Sequence, residues 1–271
     1  SATATNALAL GRANTASGAN SVAAGTSSKA QAASTVAIGD TNTVAAGAGA
    51  GSFAAGHNSQ VLGGLGAVAL GEAQTANGNG AVAIGDPNSA IGNGAVTVGS
   101  NNTSNGDGAV AAGNGNNAQG VGSVALGNAS SALGAGSVAF GNTATANNAN
   151  DVALGSGSTT TAAVGTTGAT INGTTYAFAG TTPGSTVSVG AGGAERTITN
   201  VAAGRIDGGS TDAINGSQLF ATNQAVGTVG TTVTNLGNTV TNLGNTVTNL
   251  GDTIATTIGG GTTYDPSTGN I

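Results

Sequence analysis

The amino-acid sequence predicts an all-β parallel solenoid followed by a parallel α-helical coiled coil, and three observations carry that prediction. A five-residue phrase ending in glycine recurs with a fourteen-residue period through the first 155 residues. An aliphatic heptad runs from residue 219 to 258. Large apolar side chains are scarce throughout: Leu, Ile, Val and Phe together make up under a fifth of the 271 residues, thin material for a globular core. Charge is equally scarce, with four basic and ten acidic residues and a net charge of −6, so the high net charge typical of disordered chains is missing. Repetition must supply the order that a core would otherwise supply.

The phrase reads small residue, Val, Ala, apolar residue, Gly, and its copies end at Gly11, Gly25, Gly39, Gly56, Gly71, Gly85, Gly99, Gly113, Gly127, Gly141 and Gly155. Eight of the ten intervals are fourteen residues; the interval from 39 to 56 is seventeen and that from 56 to 71 is fifteen. The longer interval, beside His57, is expected to bulge outward without breaking the stack. In SAIGNGAVTVG (89 to 99) a second, shorter phrase precedes the first, so each repeat holds two extended pieces separated by turn-forming Gly, Asn, Ser and Asp.

Side chains alternate along a strand, which puts Val124 and Leu126 on one face of SVALG (123 to 127) and Ala125 on the other. The same positions hold Val138 and Phe140, Val82 and Ile84, and Val96 and Val98. Stacking turns them into apolar ladders about 50 Å tall at ~4.8 Å per coil. An aspartate at Val124 is expected to put an unpaired charge inside the stack. A fourteen-residue coil is too tight for large side chains, and one coil buries little, so the apolar faces are expected to need other chains.

Residues 156 to 195 have a different texture. Asn172-Gly173 between alternating apolar residues signals a hairpin, and STVSVG (185 to 190) reads as a third strand of a small β insert, with Tyr176 and Phe178 as its core. Residues 196 to 218 follow as a connecting segment in which Ser210, Thr211 or Asp212 is positioned to cap a helix. From Leu219 the a positions are Val226, Val233, Val240, Val247 and Ile254, with Val229, Leu236, Leu243 and Leu250 at d. The tail, 259 to 271, is rich in turn residues and reads as the opening of a further module.

The order of these parts resembles the trimeric autotransporter adhesins of Gram-negative bacteria. The residues that carry the resemblance are the repeated SVAxG and AVAxG phrases, ITNVAAG (198 to 204), TDAINGSQL (211 to 219) and the heptad behind them. The resemblance implies a left-handed parallel β-roll head over 1 to 155, a neck over 196 to 218 marked by Arg205, Asp207, Asp212 and Asn215 with Leu219 at its border, and a stalk over 219 to 258, assembled as a homotrimer. It also implies a cell-surface location, anchoring through a C-terminal outer-membrane region outside this chain, and binding to host extracellular matrix, cells or other bacteria. Val at a with Leu at d favours two strands, so head and neck are expected to impose the third.

The sequence shows little reactive chemistry. Basic residues are too few and scattered for nucleic acid, and the absence of cysteine excludes disulfides and thiolate metal sites. No run of eighteen apolar residues offers a membrane helix, and Ser1 opens the chain without the features of a signal peptide, as expected of a piece of a longer protein. His57 is the sole histidine and reads as a solvent-facing turn residue. Asp40, Asp86 and Asp107 fall in repeat turns, but most equivalent turns carry Asn, Ser or Thr, which disfavours a calcium roll. Glu72 and Glu195 are isolated. Arg205, Asp207 and Asp212 read as pairing between subunits where the head narrows. The expectation is therefore adhesion without catalysis, cofactor or metal, with a spacer role as the alternative; a polysaccharide-cleaving solenoid lacks its clustered carboxylates.

Overall fold

A computed structural model describes residues 1–270, which form two compact units, Ser1–Thr197 and a second that begins at Ile198. Ile271, the end of the tail read as a further module, lies outside the described residues.

The first unit is a parallel β-solenoid. Each glycine-ended phrase forms one strand of a continuous ladder, from Leu8–Arg12 and Val22–Thr26 through Val82–Ile91 and Val96–Asn105 to Val152–Leu154. Pairing is in register, so Val82 stacks on Val96, Val96 on Val110, Val124 on Val138 and Val138 on Val152. A second ladder of short strands, including Thr15–Ala16, Lys29–Ala30 and Thr43–Val44, forms the other side of each turn.

The seventeen-residue interval leaves the stack intact: Val36–Asp40 pairs without interruption with Phe53–His57. The extra residues fall at 45 to 51, ahead of the strand, and do not bulge outward as expected: Ala48 is buried and bridges to Gly64 of the next turn, while His57 itself stays on the ladder opposite Asp40 and Glu72. The fifteen-residue interval is absorbed by a register shift between Ala76 and Asn77.

The interior is lined by the small partner of each alternating pair. Ala23, Ala37, Ala69, Ala83, Ala111, Ala125, Ala139 and Ala153 are fully buried, as are Ala16, Ala30, Ala76 and Ala90 of the second ladder. Val124 therefore does not point into the stack: it is half-buried on the outer surface, and Ala125 takes the inner position. The lumen of a fourteen-residue coil is tight and lined mainly by small side chains, with Thr97 at the inner position of this ladder and Val44 and Val61 in the second ladder as the larger buried residues.

Two devices close each turn. At Gly99, φ is +116° and an added Cβ would sit 2.0 Å from the Gly113 carbonyl oxygen of the next turn, so only glycine lets successive turns stack this closely. Three residues later stands a buried polar side chain. Asn102 donates to the carbonyls of Val98 (3.0 Å) and Gly113 (2.8 Å), while its own oxygen accepts from the Asn116 backbone N–H (3.0 Å). Asn88 and Asn116 repeat the pattern, and Asn14, Asn42 and Ser130 hold equivalent places. Buried turn carbonyls that would otherwise lack donors are satisfied by this asparagine column.

STVSVG is not a third strand of the insert. Val187–Ser188 pairs in parallel with Val152 and Ala153 and adds one more turn to the solenoid. The intervening segment loops out between two turns as a hairpin, Gly168–Ile171 against Thr174–Ala177.

The second unit contains one helix, Gly216–Ile258. Asn215 caps it, and Gln218 completes a reciprocal capping box, so Ser210, Thr211 and Asp212 are not the cap. Threonine hydroxyls donate to the carbonyl four residues back along the helix, as in Thr234 to Gly230 and Thr241 to Gly237 (both 3.0 Å). At the helix end Thr262 Oγ1 donates to the Ala255 carbonyl, and the Tyr264 ring lies over Gly251. This helix is not long and apolar enough to cross a membrane.

Candidate functional site

The outer surface of the main ladder carries two parallel aliphatic columns. One holds Val82, Val96, Val124 and Val138, all half-buried; the other holds Ile84, Val98, Leu126 and Phe140, with Phe140 51% exposed. In-register stacking makes both columns continuous over about 50 Å at ~4.8 Å per turn. No charged side chain interrupts these two positions from Leu8 to Leu154. A contiguous apolar strip of that length is characteristic of an interface.

Beside it runs the column of residues that follow each phrase glycine. Here the fold assembles a group that the sequence separates: His57 Nδ1 lies 2.7 Å from Glu72 Oε2, and His57 Nε2 lies 4.0 Å from Asp40 Oδ2. All three side chains are about half exposed, and the Thr41 hydroxyl donates to Asp40 Oδ1 at 2.8 Å. Farther along, the column is an exposed amide ladder, with Asn114 donating to Asn128 and Asn128 to Asn142 (2.8 Å each). Asp86 shares this column, whereas Asp107 lies in the other turn and accepts from the Asn93 backbone N–H at 2.7 Å. That bond, aided by the Asn93 side chain, holds the Asp107 carboxyl below the usual range. Among the described residues no group of three or more His, Cys, Asp or Glu is arranged to hold a metal ion.

The end of the solenoid depends on two residues that sequence reasoning passed over. Asp151 is buried where other turns place Ser, Thr or Ala, and accepts from the Thr186 N–H (2.8 Å) and from Asn148 Nδ2 (2.8 Å), tying the returning strand to the turn below. Burial pushes its carboxyl up, but hydrogen bonds from Thr160, Thr186 and Asn148 outweigh that and hold it below the ordinary aspartate value. Arg196 donates to Ser158 Oγ (2.9 Å) and to the carbonyls of Val189 and Ser156, closing the last turn. Glu195 is not isolated, since it accepts from the Gly193 N–H at 2.9 Å, which lowers its pKa.

Asp151 gives a pH prediction with a defined sign. A depressed folded pKa stabilises the native state above the unfolded aspartate pKa of ~3.9, and that contribution is lost as pH falls through the folded value. The melting temperature of the parent is therefore expected to fall more steeply below about pH 4 than that of Asp151→Asn. Parallel acid profiles in thermal melts would contradict this role.

The insert does not bury its aromatics: Tyr176 and Phe178 are 52% and 46% exposed. They are a surface of this chain and not the core expected of them.

In the neck, Arg205 donates through Nε to Asp212 Oδ2 (2.8 Å) and through Nη2 to Oδ1 (3.1 Å). This pairing is made within one chain. Arg205 holds the Asp212 carboxyl below its ordinary range, and Asp212 raises the pKa of Arg205. Asp207 accepts from the Gly209 N–H (2.8 Å) in a local turn. Asn215 donates to the Val201 carbonyl (3.1 Å), and Gln218 clasps both backbone groups of Gly204. These two amides fasten the extended segment at Val201 and Gly204 to the first turn of the helix.

Along the helix, Leu219, Val226, Val229, Val233, Leu236, Val240, Leu243, Val247, Leu250 and Ile254 are all exposed or nearly so, with Leu236 at 62%. They form one aliphatic seam that no part of the same chain covers.

Comparison with known proteins gives these surfaces a context. The family model described as the coiled stalk of trimeric autotransporter adhesins matches residues 197–263. The YadA head domain repeat matches residues 2–28, 16–42, 63–86, 118–144 and 132–158. The autotransporter adhesin BtaE of Brucella suis biovar 1 (strain 1330) is 62% identical over 77 residues, which are 28% of this chain and 10% of that protein. A solved chain, the C-terminal YadA-like domain of BPSL2063 from Burkholderia pseudomallei, is 55% identical over 51% of this chain and 57% of its own, with a TM-score of 0.35. This chain thus spans a small part of the length of its curated relative. Head repeats followed by a stalk, matched separately and in that order, show that the chain belongs to the trimeric autotransporter adhesin family.

Proposed function

We propose that this chain is the exposed head, neck and upper stalk of an adhesin on the outer membrane of a Gram-negative bacterium. Three copies associate through the aliphatic columns of the solenoid and the helical seam. The observation that carries the reading is the pairing of two long uncovered aliphatic surfaces, one per unit, in a chain whose family is trimeric. Association leaves polar, weakly charged outer surfaces repeated turn after turn and copied three times. Such surfaces attach by many shallow contacts, gaining strength by avidity, to host matrix, host cells or other bacteria. The reading has no enzymatic step: the one histidine sits between two half-exposed carboxylates on an open surface.

The test is adsorption of the whole chain to immobilised collagen, fibronectin, laminin and cultured cells. Saturable binding to at least one is expected, and EDTA is expected to change neither the binding nor the melting temperature. An intact trimer that binds none of them would favour a spacer that projects another module, a reading that the uniformity of the turns also suits. Loss of folding in EDTA would return the calcium alternative.

A further inference from the structure

We infer that the hairpin of the insert is an arm that packs on a neighbouring subunit of the trimer. The inference rests on the trimeric reading above and adds a specific contact to it. The hairpin pairs Ala169 with Tyr176 and Ile171 with Thr174. Pleating therefore puts Ala169, Ile171, Thr174 and Tyr176 on one face, three of them apolar or aromatic, with Phe178 two residues farther along. The other face is polar, with the hydroxyls of Thr170 and Thr175 3.1 Å apart. A two-stranded ribbon needs packing against its apolar face to be stable in water. Its own chain leaves that face largely open: Ile171, Tyr176 and Phe178 are all exposed.

The place where the arm is rooted identifies what covers it. Asp151 and the Thr159 N–H, which donates to the Gly190 carbonyl, fix both ends of the insert between the turn of Val152 and the turn of Val187. The aliphatic columns reach that same level, where Leu154 and Val187 are 48% and 68% exposed. From Val152 to Ala194 there is no charged residue, so arm and columns match in chemistry as well as in height. A matrix ligand would have to cover three separate arms. A three-fold ring of copies, each giving one arm and receiving one, covers all of them in a closed set of identical contacts.

The test uses the whole chain with p-benzoylphenylalanine in place of Tyr176 or, separately, Phe178, and with the same probe at Thr175 as the opposite-face control. Sedimentation first establishes the mass of each protein. Irradiation is expected to give denaturant-stable dimers and trimers from the probes at 176 and 178, with adducts on residues 138 to 154 or near 187 of another chain, and few from 175. A protein that sediments as a trimer but gives no adducts between chains from 176 or 178, equal adducts from all three positions, or adducts only with added matrix protein would overturn the arm and leave the trimer standing. A monomer would overturn both.

Discussion

Ala125→Asp is expected to unfold the solenoid, whereas Val124→Asp, one residue earlier, is expected to leave each coil formed and weaken only the association of subunits. Ala125 is fully buried between Ala111 and Ala139, where a carboxylate has no charged partner. An uncompensated charge in such a place costs about 3–5 kcal/mol, a large part of the stability of an ordinary domain. Val124 stands outside, stacked on Val110 and Val138. A carboxylate there stays hydrated in a single chain, and its cost appears when three chains close on the aliphatic columns. Circular dichroism and sedimentation separate the two outcomes. Strand signal lost at Ala125 but kept at Val124, with a smaller assembly for the latter, is the expected result. Equal damage at both positions would mean that the inner and outer faces have been misassigned.

The second large effect concerns the stalk. A peptide of residues 217 to 258 alone is expected to be mostly unfolded and monomeric, and the same segment joined to residues 196 to 216 is expected to be a helical trimer. Gly230, Gly237, Gly244 and Gly251 each cost about 1 kcal/mol relative to alanine in a helix interior. No charged pairs at e and g offset that cost, and the seam is exposed unless other chains cover it. The neck contributes the capping box of Asn215 and Gln218 and the clasp on Gly204, which start the helix in a fixed place. Circular dichroism and sedimentation of the two peptides decide the matter, and a stable helical trimer without the neck would contradict it.

The ladder, the seam and the hairpin turn were legible because each is a matter of period or local turn chemistry. Alternation at Val124 and Ala125 separates two faces but does not say which is inner; the tight coil decides that, placing the alanine position of nearly every turn inside. The asparagine column had a signal, since the third residue after most phrase glycines is Asn, Ser or Gln. The final turn had one too: TVSVG (186 to 190) follows the head phrase, hidden because 35 residues separate Gly155 from Gly190. Asn215 and Gln218 had the spacing of a capping box, overlooked beside the three candidates just upstream. Asp151 carried no such mark. Its role comes from the return of a distant strand, which only the fold reveals.

The outer aliphatic columns and the helical seam both require sister chains, and the most direct test is the native mass of the whole chain by sedimentation equilibrium. The account predicts a single species at three times the 24.7 kDa chain mass, persisting at the lowest measurable concentrations. A folded monomer, with full strand and helix signal at 24.7 kDa, would contradict it.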